Sequence, residues 1–194
     1  MSIAPLVLAS SSAYRRDLLE RLRLPFIVVA PDVDERPLPE EMPRATALRL
    51  AELKARAVAA HHSDSLIIGS DQVAVLDGKP LGKPGSGEAA LQQLLAAASR
   101  RLVFHTALCL LNAETNACQL EEIPTTVKMR DYTPAQAARY LELERPYDCT
   151  GSAKIEALGI ALVERVESSD PTALIGLPLI ALVTMLERAG VQVL

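Results

Sequence analysis

The chain has 194 residues, of which 49% are hydrophobic and 23% are charged, and its formal net charge at pH 7 is -4. This length suits one globular domain spanning residues 1–194, and the composition shows no disordered tail or low-complexity block. The 20 Lys and Arg residues are scattered among 24 Asp and Glu residues, so no basic stripe is present for a nucleic acid or an anionic membrane. Any anionic ligand must therefore be bound by a local site.

The cysteines and histidines do not indicate a zinc site or a disulfide framework. Cys109, Cys118 and Cys149 are odd in number and lack CxxC spacing, and the three histidines complete no plausible zinc set. The N-terminus lacks a basic segment typical of a signal peptide, and no apolar run approaches the roughly 18 residues that a membrane span requires. We therefore expect reduced thiols in a cytoplasmic protein with no membrane or nucleic-acid partner.

The N-terminal stretch 6–19 contains an apolar run, three serines and a helical pattern in succession. This order predicts a strand, a tight loop and a helix. Serine is favoured at helix N-caps, and the N–H groups of a first turn present donors and a positive dipole end to an anion. Arg15 falls in this first turn, where a cation is unfavourable unless an anion lies nearby. The stretch therefore indicates either a phosphate site or a capped helix with a solvated Arg15–Arg16 pair.

The next three elements are predicted from composition and period. A β-branched run between prolines at 25–31 predicts a buried strand, and the polar, proline-rich segment 32–43 predicts a loop. The Ala-rich segment 44–60 predicts a helix whose apolar stripe is interrupted by Lys54. A lysine on such a stripe indicates either snorkelling of its stem or a residue of a functional site.

The segment 66–76 predicts a strand that places Asp71 at a strand end. Because the carboxyl ends of strands border the ligand crevice in open α/β sheets, Asp71 is a candidate site residue, with turn capping as the alternative. Asp77-Gly78 predicts a hairpin turn, and Lys83 follows in a Gly-flanked loop before a helix at 88–98.

The remaining elements continue the mixture of strands and helices. They are predicted as strands at 101–111 and 119–130 forming a long hairpin, a helix from Thr133 toward Leu143, a loop at 147–156, a strand at 159–166 and a helix at 179–188.

Several separated motifs carry a resemblance to a known family. They are LASSSAYRR at 8–16, VDE at 33–35, LAELKA at 50–55, GSDQV at 69–73, GKP at 82–84, TGSAKIEALG at 150–159 and LIGLPL at 174–179. From Leu6 to nearly the end, the chain resembles the Maf family of nucleotide pyrophosphatases. The resemblance implies a Maf/ITPase-like α/β fold with an elongated, mixed, twisted sheet flanked by helices, and two lobes around a cleft. It also implies a divalent metal cation, Mg²⁺ or Mn²⁺, and commonly a homodimer.

The activity implied by the resemblance is hydrolysis of a phosphoric anhydride, in which a nucleoside triphosphate yields a monophosphate and pyrophosphate. Carried over by position, Glu35 and Asp71 would serve the metal and the attacking water, and Asp71 would either activate that water or hold the metal. The residues implied around the triphosphate are Ser10, Ser12, Arg15, Lys54 and Lys83. A metal with Arg and Lys side chains suits a reaction that depends on positioning and charge neutralisation, and hard oxygen ligands suit Mg²⁺ or Mn²⁺.

The subgroup that the chain most resembles is the bacterial 7-methyl-GTP pyrophosphatases. Their aromatic, Gln and Glu specificity positions correspond to Tyr14, Gln72 and Glu156. A cationic methylated base favours an aromatic face, and a carboxylate prefers that base to neutral guanine. Two departures from the family pattern are Ala13, where proline is usual, and Tyr14, where the subgroup typically has Trp.

Three alternatives fit the chain less well. The dTTP/UTP pyrophosphatases of the same family typically carry Arg, Thr and Gln as the specificity trio, which does not match this chain. A nucleotide-binding regulator of septum formation could dispense with the acids Glu35 and Asp71, and a sugar-nucleotide transferase would need a Gly-rich N-terminal loop that is absent here. The sequence leaves open the physiological substrate and the dimer interface.

Overall fold

A computed structural model of the protein describes residues 4–194, in which strands and α-helices are mixed along the chain. The strands are β1 (Leu6–Ala9), β2 (Phe26–Val29), β3 (Leu66–Leu76), β4 (Lys79–Leu81), β5 (Arg101–Asn112), β6 (Cys118–Met129) and β7 (Val163–Ser168). The helices are α1 (Ala13–Leu19), α2 (Pro43–Ala59), α3 (Gly87–Ala97), α4 (Pro134–Glu144) and α5 (Leu179–Arg188). The predicted α/β class is confirmed. No helix among these residues is long and apolar enough to cross a bilayer.

The strands form one mixed sheet in the order β2-β1-β3-β5-β6-β7, with β4 paired to β3. Strand β1 runs parallel to β2 and to the start of β3, whereas β4 and β7 are antiparallel to β3 and β6. The prediction of a mixed sheet flanked by helices is therefore confirmed.

The chain divides into two compact units. The first unit contains the residues up to Asp71, Thr106–Ile123 and Asp170–Leu194, and the second contains Gln72–His105 and Pro124–Ser169. The cleft between lobes and the single domain 1–194 stay predictions.

The core of the first unit forms on one face of β1, β3 and β5. Side chains alternate along a strand, so every second residue of these strands points to the same face. Leucines of α1 and α5 cover that face. The buried cluster contains Leu6, Leu8, Leu18, Leu19, Leu66, Ile68, Leu108, Leu110, Leu177, Leu182, Met185, Leu186 and Val191. Each of these side chains is at most 6% exposed, so the cluster is a continuous apolar core.

Helix α2 packs unusually close to β3 in the first unit. A Cβ atom at Gly69 would lie 2.1 Å from the backbone oxygen of Ala51 and 3.0 Å from Cβ of Ala55. Glycine therefore permits an approach of backbone to backbone that any side chain would prevent. The same approach lets Lys54 of α2 reach Asp71, two residues beyond Gly69 on β3.

Two local predictions in the second unit are confirmed by backbone geometry. Asp77 and Gly78 have φ values of 49° and 78°, so the β3–β4 hairpin turns through two left-handed residues. Helix α4 begins with a capping box in which Thr133 and Gln136 satisfy each other's backbone N–H groups.

Two predicted strands differ from the structure. The prediction of a buried strand at 25–31 is wrong in its burial, because Ile27 and Val28 in β2 are 51% and 45% exposed. Strand β2 is an edge strand with β1 as its neighbour in the sheet, so part of its apolar surface stays uncovered. The strand predicted at 159–166 begins only at Val163, because Leu158–Leu162 forms a 3₁₀ turn whose Gly159 N–H donates to Lys154 O.

The position of Asp71 also needs correction. Asp71 lies in the middle of β3 rather than at a strand end, because β3 continues to Leu76 and pairs there with β4. The parallel pairing with β1 stops at Ala9 and Gly69, two residues before Asp71. Asp71 therefore lies at a level of the sheet just beyond the carboxyl end of β1, and its predicted place at the end of its own strand is wrong.

Candidate active site

The N-terminal loop of the first unit has the predicted strand–loop–helix form. Ser12 is the N-cap of α1, and its hydroxyl accepts a hydrogen bond from the Arg15 N–H at 3.4 Å. The buried Ser10 hydroxyl accepts from the Ser12 N–H at 3.1 Å. The two predicted serines are thus brought together with Arg15 at the start of α1.

Arg15 is held by neutral oxygen atoms. Its Nε donates to the carbonyl of Gly176 at 2.8 Å, and its Nη1 lies 3.5 Å from the Ser10 hydroxyl. No carboxylate lies within ion-pair distance of Arg15 among residues 4–194. Burial lowers the pKa of Arg15, and the charges of Asp71 and Glu35 act in the opposite direction. A guanidinium held in this way can accept an anion as a direct partner.

The loop before α5, whose Gly176 carbonyl binds Arg15, contains residues that were not predicted as part of the site. Gly176 has φ 122°, a conformation that favours glycine, and its carbonyl also accepts from the Ser70 hydroxyl at 2.9 Å. Asp170 is buried and accepts bonds from the Thr172 hydroxyl at 2.8 Å and from the Ile180 N–H at 2.7 Å. No local signal marks this anchor, because Asp170 reaches the first turn of α5 from nine residues before that helix begins.

The central cluster of the site joins three predicted residues. Lys54 Nζ donates to Asp71 Oδ1 at 2.6 Å and to Glu35 Oε2 at 2.9 Å. The side chains of Lys54 and Asp71 are 6% and 10% exposed, whereas that of Glu35 is 57% exposed. The ammonium group of Lys54 is therefore buried between two acids rather than snorkelling to solvent. Its predicted contact with the triphosphate stays a prediction.

Burial changes the proton affinity of Asp71. It raises the pKa of this carboxyl, and the nearby cations Lys54 and Arg15 only partly oppose the effect. A carboxylate with a raised pKa is a better proton acceptor than a solvated one. Whether Asp71 accepts the proton of the attacking water or holds the metal stays a prediction.

A second ion pair, which the sequence did not reveal, fastens the loop that carries Glu35. Arg49 of α2 binds Glu41 through Nε and Nη2 at 2.6 and 2.7 Å, and its Nη2 also donates to the Arg36 carbonyl at 3.2 Å. The Thr46 hydroxyl donates to Glu41 at 3.0 Å. The hydrogen bonds from Arg49 are the main reason that the pKa of Glu41 is lowered to about 2. The loop next to Glu35 is thus tied to the helix that carries Lys54.

The remaining predicted residues lie on separate segments. Tyr14 is half-buried on α1 in the first unit. In the second unit, Gln72 is half-buried on β3, Lys83 is exposed between β4 and α3, and Glu156 is exposed before the 3₁₀ turn at 158–162. Their assigned roles stay predictions.

The acids of the site do not form a preassembled protein cage for a metal. Within residues 4–194, no three His, Cys, Asp or Glu side chains converge in a metal-binding arrangement. Glu35 and Asp71 do meet at one cation, the ammonium of Lys54. The bonds to Lys54 use one oxygen of each carboxylate, which leaves Glu35 Oε1 and Asp71 Oδ2 for other ligands.

Comparison with known proteins identifies the family of the chain. A family model described as Maf-like protein matches residues 5–189. This chain belongs to the Maf family. A 7-methyl-GTP pyrophosphatase of Thiobacillus denitrificans is 61% identical over 189 residues, covering 97% of this chain and 94% of the relative. Proteins of the same name from Cupriavidus pinatubonensis and Ralstonia nicotianae are each 59% identical, covering 95% of this chain and 93% and 95% of the relatives.

Proposed function

We propose that this Maf protein is a nucleoside triphosphate pyrophosphatase that hydrolyses 7-methyl-GTP to 7-methyl-GMP and pyrophosphate. The observation that carries the proposal is the cluster of Glu35, Lys54 and Asp71, in which a buried carboxylate with a raised pKa lies against a buried ammonium. Relatives that are 55–61% identical over almost the whole chain bear the name 7-methyl-GTP pyrophosphatase.

The reaction breaks the anhydride bond between the α- and β-phosphates by addition of water. Asp71 either takes the proton of the attacking water, which its raised pKa supports, or holds the metal ion. Arg15 binds a phosphate oxygen, since its present partners are neutral and leave its charge available. Ser10 and Ser12, in the loop before α1, are proposed as further phosphate ligands. Lys83 of the second unit is proposed for the same role.

The proposal includes a divalent metal ion, Mg²⁺ or Mn²⁺. Glu35 and Asp71 fit such an ion, because their oxygen atoms are hard ligands and each has one oxygen outside the bond to Lys54. These ions usually take only one or two protein carboxylates and complete their shell with water and phosphate oxygens. When bound, the metal supplies charge neutralisation for the phosphate groups. Lys54 keeps the two carboxylates next to one another, and Asp71 either accepts the proton or is one of the ligands.

The proposed preference for the methylated base depends on Tyr14, Gln72 and Glu156. Glu156 is exposed and therefore accessible to a ligand, and its charge favours a cationic base over neutral guanine. Tyr14 supplies an aromatic face, and Gln72 offers both a donor and an acceptor. The proposal places the enzyme in the cytoplasm as a homodimer, in line with the resemblance to its family.

Steady-state kinetics on 7-methyl-GTP, GTP, dTTP and UTP with Mg²⁺ tests the proposal. We expect kcat/KM for 7-methyl-GTP to exceed that for the other three, and product analysis to show pyrophosphate. Glu156→Gln should narrow the ratio between 7-methyl-GTP and GTP, because it removes the charge that distinguishes them. Tyr14→Trp should preserve or raise that ratio, since indole is the better cation partner.

Three results would contradict parts of the proposal separately. A clear preference for dTTP or UTP would refute the subgroup while leaving the pyrophosphatase chemistry intact. Binding of nucleotides without turnover would instead favour a nucleotide-binding regulator. Full activity in EDTA-treated protein without added metal would refute the metal requirement.

A further inference from the structure

Two cysteines face each other on the neighbouring strands β5 and β6 in the first unit. The Sγ atoms of Cys109 and Cys118 are 3.5 Å apart. A disulfide bond is about 2.05 Å long, so the two sulfur atoms need to approach by only about 1.5 Å to form one. The segment between the strands is short, and the Asn112 N–H donates to the Ala117 carbonyl at 2.9 Å to close it. The thiols are therefore kept together by the sheet itself.

The two thiols have opposite environments. Cys118 is exposed, whereas Cys109 is fully buried. Burial raises the pKa of the Cys109 thiol, which keeps it protonated. An oxidant from solvent reaches Cys118 first, and the protected Cys109 thiol lies next to it. This is the arrangement of an attacking cysteine and a resolving cysteine.

A cation from α2 lies next to this pair. Arg56 donates through Nη1 to the Asn116 side chain at 2.8 Å and through Nε to Glu52 at 2.7 Å. Its charge lowers the pKa of Cys109, but by less than burial and the nearby charge of Glu52 raise it. Reactive cysteines are typically partly exposed and close to a positive charge, which stabilises the thiolate. The exposed Cys118 therefore has both a second thiol and a cation close to it.

We propose that Cys109 and Cys118 form a reversible modification site whose oxidant is a hydroperoxide. The Cys118 thiolate attacks one oxygen of the peroxide, the O–O bond breaks, and the second oxygen leaves as water or an alcohol after taking a proton. Cys118 is then a sulfenic acid. The Cys109 sulfur attacks the Cys118 sulfur, the S–O bond breaks, and the hydroxyl leaves as water with the Cys109 proton. Two thiols are oxidised by two electrons, and the peroxide is reduced.

Peptide mapping of the full-length protein tests the site. After treatment with hydrogen peroxide and alkylation, two of the three thiols should be lost, and one disulfide should link the peptides containing Cys109 and Cys118. Dithiothreitol should restore both thiols, and Cys149 should remain open to alkylation throughout. Absence of the linked peptide while Cys118 is oxidised further, or equal consumption of Cys149, would overturn the proposal. The measurement needs no nucleotide, so its outcome is independent of the proposed pyrophosphatase activity.

Variants separate the roles of the two thiols and of the cation. Cys109→Ala should stop the reaction at a Cys118 sulfenic acid that dimedone traps, whereas Cys118→Ser should leave Cys109 unreacted. Arg56→Gln should slow oxidation of Cys118 by about two- to fivefold. Arg139→Gln is the matched control, because Arg139 also pairs with a glutamate of its own helix but lies in the second unit. If Cys118 is oxidised at the same rate in Arg56→Gln and in wild type, Arg56 has no role in the site. A disulfide of Cys118 that still forms in Cys109→Ala would refute the proposed pairing.

Discussion

Lys54 and Arg15, both cations of the first unit, are held by different kinds of partner. Lys54 lies between the carboxylates of Asp71 and Glu35, at 2.6 and 2.9 Å. Arg15 is bound by a carbonyl and a hydroxyl, with no carboxylate at ion-pair distance among the described residues. Lys54 is paired directly with carboxylates, whereas the charges of Asp71 and Glu35 act on Arg15 only at longer range. The difference suggests that Lys54 organises the acids and that Arg15 is the residue available to an anionic substrate.

The largest effect on kcat is expected from a change to Asp71, one of the two acids that bind Lys54. Asp71→Asn keeps the shape of the side chain but removes its charge and its ability to accept a proton, so kcat should fall by at least about 10²-fold. Substrate binding should persist, because Arg15 does not depend on a direct bond to Asp71. Single-turnover kinetics with a separate binding measurement distinguishes the two quantities. Near-normal turnover would show that Asp71 has been misassigned, and Glu52→Gln on α2 serves as a control.

Arg15→Gln and Lys54→Met should affect different quantities. Arg15→Gln should lower kcat/KM by about 10- to 100-fold, mainly through KM, because a charge-assisted bond to phosphate is lost. Lys54→Met should lower kcat and should also lower the free energy of unfolding by about 3 kcal/mol, because Asp71 is left buried without its cation. Urea denaturation and steady-state kinetics measure both quantities. Identical profiles for the two variants would contradict the division of roles.

Local sequence signals predicted several elements of both units. Three features depend only on residues close together in the sequence, so the sequence alone predicts them. They are the serines before α1, the Asp77-Gly78 turn and the capping box at Thr133. The motifs around Lys54 and Asp71 likewise identified the residues that meet in the central cluster. Local chemistry and family resemblance together therefore identified the positions but not all of their contacts.

The contacts that escaped prediction depend on packing between segments far apart in the chain. Lys54 reaches Asp71 because Gly69 admits α2 at close range, and no local pattern shows this approach. The carbonyl of Gly176 meets Arg15 across 161 positions of sequence, and nothing local links the two residues. The exposure of Ile27 follows from the edge position of β2, which only the strand order of the sheet reveals.

Gly176→Ala tests whether the carbonyl partner of Arg15 matters for function. The φ value of 122° is strained for alanine, so the carbonyl should move away from Arg15 Nε. We expect kcat/KM to fall by about three- to tenfold, less than in Arg15→Gln, because the guanidinium remains present. Gly190→Ala is the matched control, since Gly190 also has a positive φ of 83°, but a Cβ atom added there would meet no other atom within 4 Å. Equal kinetic losses in both variants would indicate general strain rather than a role for this carbonyl.

The smallest effect on kcat is expected for the Arg49–Glu41 pair, which fastens the loop that carries Glu35. The contribution of this pair to stability should depend on pH. Because Arg49 lowers the pKa of Glu41 from 4.5 to about 2, the charged carboxylate is favoured in the folded protein. This contribution to stability is therefore fully present above about pH 4.5 and is lost as the pH falls toward 2. Glu41→Gln lacks the contribution, so its denaturation midpoint should lie below that of wild type at neutral pH, and the gap should close under acidic conditions.

Urea denaturation of wild type and Glu41→Gln at a series of pH values measures this gap. Glu142→Gln is the control, because it removes a pair whose two side chains are each 66% exposed, and such pairs contribute little to stability. Because Glu41 acts on Glu35 only through the loop, kcat in Glu41→Gln should fall by less than in Asp71→Asn. Glu41→Gln should also need a higher metal concentration for full activity. A stability gap that stays constant from neutral pH down to pH 2 would mean that the Glu41 charge does not fasten this loop, and Glu35 would then owe its position to Lys54 alone.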